Sequence, residues 1–339
     1  MKIVTIRDVA KEAQVSISTV SRVLNERPDV DDETRKRVLK VVEELRYVRN
    51  ANASNLKQRH TDFAAVVLRG RRNVFLTDMA ERILQKGREK GLRFLIEIID
   101  EKANEFDAVR ALYLERKLKG VVFLGSNLSG HEKDIQGLEI PCVFATVEAA
   151  FLQNPHVSSV SIDNFEAGRQ AIELLLSLGH RKIALLGYFG TKADSTGQRL
   201  YGAIDALKKH GIPYDECLYR ECGFTLSAGY GAMNDILDKR RDFTAVFAIS
   251  DVIAFGALRA LHDRGLSVPD DISVVGFDGI EQAAYCVPSM TTLRQPAERI
   301  ADEALNLLSA SIAGKKGQHI LLPAELVRGE SVKHIVLEK

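Results

Sequence analysis

The stretch QVSISTVSRVLN, residues 14–25, decides the fold of the first part of this chain. Ser, Thr and Val make up more than half of it, and Arg22 is its only charged residue. A helix here places its apolar residues on one side, namely Val15, Val20, Val23 and Leu24. Its other side carries Ile17, Ser18, Ser21 and Arg22. Short hydroxyls, one guanidinium and one exposed aliphatic group are typical of a helix that enters the major groove of DNA, as in a helix-turn-helix.

Two more short helices are predicted on either side of that stretch. Their apolar positions are Ile6, Val9, Ala10 and Ala13 in the first, and Val38, Val41, Val42 and Leu45 in the last. Thr5 with Asp8 makes a capping-box pattern, Ser16 can cap the middle helix, and Asp31 suits the start of the last one. The polar segment NANASNLKQRH, residues 50–60, then predicts a linker that is only weakly helical by itself.

The charges are divided unevenly along the chain. The whole chain of 339 residues has a net charge of +1, but residues 1–60 hold 13 Lys and Arg against 9 Asp and Glu. The remainder holds 34 basic residues against 37 acidic ones. The positive excess at the N-terminal end therefore indicates a polyanionic partner there, and the length predicts two or three domains.

Several classes of protein are disfavoured by what the sequence lacks. No apolar run approaches the roughly 18 residues that a membrane helix needs, and the first residues are too charged for a signal peptide, so we expect a cytoplasmic protein without a membrane partner. The cysteines show no metal-ligand spacing and are expected to be reduced: Cys142, Cys217, Cys222 and Cys286. HExxH, G-x-S-x-G and P-loop patterns are absent, so we expect no catalytic residue, no metal and no cofactor.

From residue 62 onwards, buried β-runs alternate with amphipathic helices. One series of runs is FAAVVL (63–68), RFLIEII (93–99), GVVFL (120–124) and PCVFAT (141–146). A second series is KIALLG (182–187), TAVFAI (244–249) and DISVVGF (271–277). Helical patterns between and after them include Ala254, Leu258 and Leu261, and Ile300, Ala304, Leu307 and Leu308. This alternation predicts two α/β lobes with parallel sheets, and a ligand cleft outside the carboxyl ends of the strands.

The residues quoted so far resemble a known family. TIRDVAKEAQVSISTVSRVLNERPDVDDETRKRVLKVVEELRY is similar to the headpiece of the LacI/GalR family of bacterial transcription regulators. The likeness continues through SIDNFEAGRQAIELLLSLGHRKIALLG, PDDISVVGFDGIEQAAY and TTLRQP. The resemblance implies an all-α helix-turn-helix headpiece and a periplasmic-binding-protein-like body of two doubly wound lobes joined by three crossovers. It also implies a homodimer that binds a near-palindromic operator in double-stranded DNA.

The resemblance also sets the expected domain limits. The headpiece spans residues 1–47, the hinge helix or linker spans 48–60, and the effector-binding and dimerisation domain spans 61–339. Within that domain, the N-lobe covers about 62–161 and 292–323, and the C-lobe covers about 162–291 and 324–339. The chain ends at RGESVKHIVLEK without apolar heptads, so we expect a dimer and no tetramerising helix.

Carried over position by position, the resemblance implies a set of DNA contacts. Ile17, Ser18 and Arg22 would contact bases. The residues near phosphates would be Thr5, Ser16, Thr19, Ser21, Asn25 and Thr34. The hinge helix matches NANASNL, which begins at Asn50, with Ala53 in the minor groove and Leu56 as the wedge between base pairs. Gln14 replaces a turn Gly and Arg49 replaces a Pro that many members have, so turn strain and hinge stiffness differ here.

The resemblance likewise implies an effector site in the cleft. Its matched positions are Phe75, Arg199, Phe224, Ser250 and Asp278, where the Arg and the Asp hold ligand hydroxyls and an aromatic ring stacks on the ligand. Thr146 stands where many sugar-binding members have an Asp, and RGRRNVF (69–75) is unusually basic. Arg69 or Arg71 could therefore contact an anionic sugar derivative, or could simply point into water. A further alternative is that Arg199 and Asp278 form an ion pair between the lobes without any ligand.

Other functions remain as alternatives. A protein corepressor would replace the small molecule, but its docking helix usually opens with Tyr and Asp, whereas the helix after RQP reads AERIADEA. A transport-type sugar-binding protein would share the two lobes but has no use for a helix-turn-helix. An enzyme on this scaffold is not excluded by fold, although no catalytic motif supports it. The favoured interpretation is a DNA-binding regulator, most simply a repressor, controlled by a sugar or sugar derivative.

Overall fold

The computed structural model describes residues 6–24, 27, 29–45, 63–70, 73–101, 103–191 and 194–335. The chain divides into two compact units, residues 1–61 and residues 62–339. We describe each unit by itself. Thr5, Asn25, Asn50, Ala53, Leu56 and Arg71, which the sequence assigned to DNA or effector contacts, lie outside the described residues.

The first unit contains three helices in the described residues: α1 (Ile6–Glu12), α2 (Ile17–Leu24) and α3 (Asp32–Glu44). Their inner faces form one small core, as predicted; it comprises Val9, Ala10, Ala13, Val15, Val20, Val23, Leu24, Val30, Val38, Val41, Val42 and Leu45. The cap at Ser16 is confirmed, because its Oγ accepts a hydrogen bond from the Thr19 amide at 3.1 Å. Asp31 Oδ1 accepts the Thr34 amide at 2.9 Å, and this bond lowers the pKa of the Asp31 carboxyl.

The second unit contains twelve strands in its described part. They are β1 (Phe63–Arg69), β2 (Arg93–Ile99), β3 (Val121–Leu124), β4 (Cys142–Ala145), β5 (Val157–Ile162), β6 (Ile183–Leu186), β7 (Tyr219–Arg220), β8 (Ala245–Ala248), β9 (Ser273–Asp278), β10 (Thr291–Arg294), β11 (His319–Leu322) and β12 (Glu325–Val327). All seven predicted β-runs are strands, and most of their residues are fully buried, as expected for parallel sheets covered on both faces.

Nine α-helices accompany these strands in the same part of the chain. They are α4 (Val74–Glu89), α5 (Glu105–Arg116), α6 (Glu132–Gln136), α7 (Asn164–Ser177), α8 (Ser195–Lys209), α9 (Leu226–Leu237), α10 (Asp251–Asp263), α11 (Gln282–Tyr285) and α12 (Ala297–Ile312), together with a 3₁₀ turn at Glu216–Leu218. The apolar faces predicted for α10 and α12 are buried in the core of the unit.

The strands form two six-stranded sheets. The first sheet has the order β11-β5-β4-β3-β1-β2 and is entirely parallel. The second has the order β12-β10-β9-β8-β6-β7, and only its β10–β12 pair is antiparallel. The chain therefore passes from the first sheet to the second after β5, returns after β10, and crosses again before β12. These are the two lobes and three crossovers that the resemblance implies.

The strands fix the lobe limits more narrowly than the sequence did. Residues 292–294 were expected in the N-lobe, but Thr291–Arg294 is β10 of the second sheet, so the chain returns to the first lobe only with α12. Ile162 likewise ends β5 of the first sheet rather than beginning the C-lobe. The reason is the pairing itself, because Leu293 lies beside Phe277 of β9 and Ile162 lies beside Leu322 of β11.

Candidate functional site

The outer face of α2 carries the residues that the sequence assigned to contacts with DNA bases. Ile17 is 47% exposed, which is unusual for a large aliphatic side chain on so short a helix, and Ser18 and Arg22 are exposed as well. Val20 and Val23, on the opposite face, are buried. Two packed valines therefore hold the helix against its neighbours while its outer face remains available to a ligand.

Hydroxyl groups organise the beginning of α2. Ser16 Oγ lies 2.6 Å from Ser18 Oγ and 2.8 Å from Thr19 Oγ1, so the three hydroxyls form one hydrogen-bonded cluster. Ser21 is half-buried one turn further on, and Thr34 is half-buried at the start of α3. Groups of this kind can donate to phosphate oxygens or to base edges.

Arg22 is held by an acidic neighbour. Its Nη1 lies 3.6 Å from Asp29 Oδ2, and both side chains are more than half exposed. Coulomb energy between exposed groups is small, so this ion pair adds little to stability and leaves the guanidinium accessible.

The turn before α2 is strained at the position where the sequence departs from the family pattern. Gln14 has φ = 51°, in the left-handed region that a side chain disfavours and that Gly adopts at no steric cost. The Val15 amide donates to the Ala10 carbonyl at 3.0 Å across this turn. The predicted turn strain is therefore present.

The second unit has a cavity of about 690 Å³ between its two lobes. Its wall is built at the carboxyl ends of the strands: Arg69 ends β1, Gly125 follows β3, and Asp278 ends β9. Helices α4 and α8 begin at the cavity and supply Phe75 and Arg199. This is the position where open α/β sheets bind ligands.

Six of the seven predicted effector residues line this cavity. They are Arg69, Phe75, Thr146, Arg199, Phe224 and Asp278. Ser250 does not line it, but its Oγ donates to Asp278 Oδ2 at 2.9 Å, so Ser250 orients a carboxylate of the cavity wall. The structure therefore brings these seven residues together, while Arg71 lies outside the described residues.

Arg199 and Asp278 are the charged centre of this wall. Arg199 Nη1 lies 3.3 Å from Asp278 Oδ1, and both residues are about 5% exposed. The guanidinium is fixed further by Asn164 Oδ1, by the Ile249 carbonyl and by the ring of Phe277, whose centroid lies 3.7 Å from Cζ. Such a fully oriented pair is suited to two adjacent hydroxyls.

The expected alternative of an interlobe ion pair is wrong for these two residues. Arg199 lies on α8 and Asp278 ends β9, and both elements belong to the second lobe. Burial raises the pKa of Asp278, while Arg199, Gln295 and Ser250 oppose that rise; burial lowers the pKa of Arg199, and Asp278 opposes that change. We regard the pair as ionised, because a guanidinium keeps its proton in proteins.

Two non-glycine residues at the cleft adopt left-handed backbone angles. Thr146 has φ = 77° and Asp278 has φ = 105°, and each follows or ends a central strand of its own lobe. Strain of this kind persists only where the surroundings enforce it, and it is concentrated at binding sites. Both positions therefore support the cleft as the functional site of this unit.

Arg69, which lies in the basic segment RGRRNVF, is hydrogen-bonded within the protein. Arg69 Nε donates to the Glu101 carbonyl at 2.9 Å, and Nη2 donates to the same oxygen. Glu101, Asp194 and Glu221 also line the cavity, so acidic groups stand beside the arginines in the described wall.

Hydrogen bonds join the two lobes beside the cavity. Ser129 Oγ, after β3, lies 2.5 Å from Thr191 Oγ1 in the second lobe, and Ser195 Oγ donates to the Thr146 carbonyl at 3.1 Å. Asp194 Oδ2 in turn accepts the Thr191 amide at 2.7 Å. The lobes are therefore in direct polar contact.

Sequence reasoning missed several residues of this site. Gln295 donates to Asp278 Oδ1 at 2.8 Å and lines the cavity; it lies in the quoted TTLRQP motif, which could have identified it. Asn164 fixes Arg199 from the start of α7. Glu105, at the start of α5, was missed as well: it is 3% exposed, and its carboxyl group lies close to Ser126 and Asn127, which line the cavity.

The helix after the RQP motif is already engaged within the chain. Lys86 on α4 pairs with Glu298 at 2.9 Å and with Asp302 at 2.8 Å on α12. Among the described residues there is no cluster of His, Cys, Asp and Glu that could hold a metal ion. In the same part of the chain, no helix is both long enough and apolar enough to cross a membrane.

Comparisons with known proteins give a consistent result. Residues 5–50 match the sequence model for bacterial regulatory proteins of the lacI family, and residues 172–332 match the model for the periplasmic binding protein-like domain. The transcriptional regulator MalR of Clostridium butyricum is 33% identical over 97% of this chain and 99% of its own. The transcriptional repressor PurR of Edwardsiella ictaluri is 31% identical over 97% and 96%.

Solved structures of transcription regulators are also similar to this chain over nearly its whole length. A complex of the transcriptional regulator CelR with cellobiose has a TM-score of 0.72 and 30% identity, covering 97% of this chain and 99% of that one. A lac repressor dimer bound to operator and an anti-inducer has a TM-score of 0.73 and 26% identity, covering 98% and 100%.

Proposed function

Since this chain belongs to the lacI family of bacterial regulatory proteins, we propose that it represses transcription as a homodimer bound to a near-palindromic operator. It is a DNA-binding regulator and not an enzyme. A transport-type binding protein is thereby set aside. Because such a regulator acts on the chromosome, we place it in the cytoplasm. The exposed outer face of α2 is the observation that supports the DNA-binding half of this proposal.

The operator contacts belong to the same proposal. Ile17, Ser18 and Arg22 contact bases, and hydroxyls from Ser16, Thr19, Ser21 and Thr34 lie near phosphates. Thr5 and Asn25 also lie near phosphates; Asn50, Ala53 and Leu56 form the minor-groove part of the site. The exposure of Arg22 supports the assignment to base reading, because its guanidinium remains accessible on the outer face of α2.

The DNA contacts are tested by selecting operator sequences from a random duplex pool and measuring affinity by fluorescence anisotropy at fixed salt. Arg22→Ala should relax the preference at one base pair per half-site and cost about 1–3 kcal/mol. Leu56→Ala should weaken operator binding at every sequence while leaving the fold intact. Lys208→Ala, an exposed change on α8 in the second unit, is the control. Unchanged operator affinity in both variants would remove the proposed interface.

For the effector, we propose a neutral sugar or a neutral sugar derivative in the cleft of the second unit. The buried Arg199–Asp278 pair carries this assignment, because its fixed charges match vicinal hydroxyls. The anionic alternative loses support from Arg69, whose guanidinium is already bonded to the Glu101 carbonyl. Gln295, beside Asp278, also lines the cavity and adds polar atoms to the wall.

Thermal shift with glucose, cellobiose, maltose, glucose 6-phosphate, glucuronate and adenine tests the effector. A ligand at about a hundred times its Kd should stabilise the protein by roughly 2.7 kcal/mol, which moves Tm by several degrees. Phe224→Ala should lose that shift, whereas Phe165→Ala, which is outside the cavity and 36% exposed, should keep it. Stabilisation by the anions alone would overturn the choice of a neutral ligand.

A further inference from the structure

A second, smaller cavity of the second unit lies beside the cleft. Its volume is about 350 Å³, which lies within the range of pockets that hold small ligands. The start of α4 and the start of α12 form one side of it, and the loop after β9 forms the other, so both lobes contribute. Three residues line both cavities, namely Phe75, Asp278 and Gln295. A ligand in the second cavity therefore contacts residues of the cleft wall without entering the cleft.

Gln295 carries an unused hydrogen-bond acceptor at this border. The residue is 3% exposed, and its Nε2 donates to Asp278 Oδ1 at 2.8 Å. Among the described residues, Oε1 of the same amide has no hydrogen-bond partner. A buried acceptor in this condition is rare in folded proteins and needs an explanation, such as a bound group that supplies the donor. The second cavity, which Gln295 lines, has the space for such a group.

The helix that follows Gln295 begins without a side-chain cap. Pro296 occupies the N-cap position of α12, and no side chain there accepts a hydrogen bond from the helix. The Ala297 amide donates to the Gln295 carbonyl at 2.8 Å. The next two amides, those of Glu298 and Arg299, lie in the first turn, where a helix offers no carbonyl to its own amides. Both residues line the cavity, and the first turn of a helix attracts anions.

Most charged groups around the cavity are paired within the chain. Arg82 Nε lies 2.7 Å from Asp78 Oδ2, and the same guanidinium also bonds to Glu298. Lys86 Nζ lies 2.9 Å from Glu298 Oε2. Arg294 Nη1 lies 3.7 Å from an acid on β12. These pairs leave little net charge that could attract a simple anion or a simple cation.

Two charged residues of the cavity are left over, one of each sign. Arg299 on α12 and Glu281 after β9 are both exposed, and neither forms an ion pair in the part of the chain that the structure describes. Arg299 belongs to the first lobe and Glu281 to the second, so the two charges reach the cavity from different lobes. Val74, Phe75 and Ile280 supply apolar surface between the polar groups.

We propose that this cavity binds a small zwitterion, namely a free α-amino acid with an apolar side chain, as a second ligand besides the effector in the cleft. Its carboxylate accepts from the first-turn amides of α12 and pairs with Arg299. Its ammonium group donates to Gln295 Oε1 and pairs with Glu281. Because the terminal torsion of a glutamine side chain has no narrow preference, Oε1 can turn towards the ammonium group without strain. The apolar side chain of the ligand packs against Phe75 and Ile280.

Titration calorimetry with L-leucine tests the two charged ends of the ligand. The matched probes are leucinamide, which lacks the carboxylate, and 4-methylpentanoate, which lacks the ammonium group. We expect leucine to bind at least about tenfold more tightly than either analogue, because each analogue loses a charge-assisted contact. An analogue that binds as tightly as leucine, or the absence of leucine binding, overturns the proposal.

Variants locate the bound amino acid. Arg299→Gln and Gln295→Leu should each weaken leucine binding at least about tenfold, because each removes one polar partner of the ligand. Arg88→Gln, an exposed change on α4 outside the cavity, is the matched control. Phe224→Ala, which alters the lining of the cleft alone, should leave the affinity for leucine unchanged.

The variants also separate the two cavities. Leucine binding that is lost in Phe224→Ala but kept in Arg299→Gln would mean that the amino acid enters the cleft, and the second site would be wrong. An affinity that no variant changes has the same meaning. Circular dichroism and operator affinity, measured without leucine, verify that each variant is folded, and Arg299→Gln decides the matter if Gln295→Leu does not fold. None of these results bears on the proposed control by a sugar.

Discussion

One backbone angle in the N-terminal unit has an energetic cost. Gln14 closes the turn between α1 and α2 at φ = 51°, where a side chain costs roughly 1 kcal/mol relative to Gly. The turn is nevertheless formed, because the buried valines on α2 and the hydroxyl cluster at Ser16 fix the helices on either side. The strain is local and can be removed without touching a DNA contact.

Gln14→Gly should therefore stabilise the three-helix unit by up to about 1 kcal/mol. Amide hydrogen exchange of α1 and α2 in the full-length protein measures the change, as greater protection. Gln85→Gly, at an exposed position inside α4, is the control and should destabilise its helix by about 1 kcal/mol. Equal or lower protection in the Gln14 variant would contradict the strain.

Among the secondary-structure elements, the final segment of the described chain depends on one histidine. His180 is completely buried between α7 and β6; its Nδ1 lies 2.9 Å from Thr244 Oγ1, and its Nε2 lies 3.1 Å from the Lys333 carbonyl. The Val274 amide donates to the Ser331 carbonyl at 2.7 Å, and the Ile335 amide donates to Leu178 at 2.9 Å. These bonds attach residues 331–335 to the second lobe.

Acid should loosen this attachment. Burial lowers the pKa of His180 below 6.5, so above pH 6.5 the ring is mainly neutral in both the folded and the unfolded chain. In that range the contribution of His180 to the free energy of unfolding hardly changes with pH. As pH falls below 6.5, the unfolded chain takes up the proton first, and stability declines by at most about 1.4 kcal/mol per pH unit. His180→Gln, which cannot titrate and can still donate to Lys333, should lose this component of the decline.

Thermal unfolding of wild type and His180→Gln between pH 7.5 and 5 checks this prediction, together with hydrogen exchange of residues 331–335. His180→Ala is the second variant, and it should lower Tm throughout that range because the Lys333 carbonyl loses its donor. Parallel pH profiles for wild type and His180→Gln would show that the ring does not titrate as described.

The sequence located the long buried strands but not β5. The run VSSVSI contains three serines and does not read as an apolar core strand, yet every one of its residues is buried. Two of its three hydroxyls have partners that come from distant parts of the chain: Ser159 Oγ lies 2.8 Å from His319 Nδ1, and Ser158 Oγ accepts the Gln318 amide at 3.2 Å. Such pairings depend on tertiary structure, so periodicity alone cannot predict them.

The candidate site shows the same limit. Charged and aromatic positions matched through the family resemblance, such as Arg199, Asp278 and Phe75, were found from the sequence and line one cavity. Glu105 was not found, because an acid in the first turn of a helix is normally an exposed, favourable residue. Its burial depends on the loops after β1 and β3, which local sequence does not describe.

At the scale of the second unit, polar contacts hold the lobes together beside the cleft. Ser129 Oγ and Thr191 Oγ1 are 2.5 Å apart, and Ser195 Oγ donates to Thr146. A hydrogen bond of this kind adds about 0.5–1.5 kcal/mol, which is a factor of roughly 2–10 in the ratio of closed to open forms. The effector response therefore depends on how easily these bonds break.

Ser129→Ala should raise the population of the open cleft by about that factor. Pulsed electron spin resonance between labels at Lys133 and Lys208, with the exposed Cys217 replaced by Ser, should show a larger fraction of long distances. Ser227→Ala serves as the control, because its hydroxyl contacts Thr225 within the second lobe. An unchanged distance distribution would mean that the hydroxyl bridge does not hold the lobes.

The proposed homodimer makes a further prediction at this scale. Ile96 and Ile98, on the edge strand β2 of the first sheet, are 46% and 50% exposed, and Leu114 on α5 is 77% exposed. Ile98→Glu should raise the dimer dissociation constant at least tenfold in sedimentation velocity. Leu321→Glu, at 51% exposure on the opposite edge strand β11, should not. Equal dissociation in both variants would place the interface elsewhere.

The order of strands also has a consequence for synthesis on the ribosome. The strands β11 and β12 occupy the outer edges of the two sheets, although they are the last strands to emerge in the described part of the chain. Neither lobe can complete its hydrogen-bonded edge before residues 319–327 have emerged, and α12 reaches the first lobe only after β10 of the second lobe has been made. We therefore expect both lobes to finish folding together, and a nascent chain arrested before β11 to bind chaperones and remain sensitive to protease.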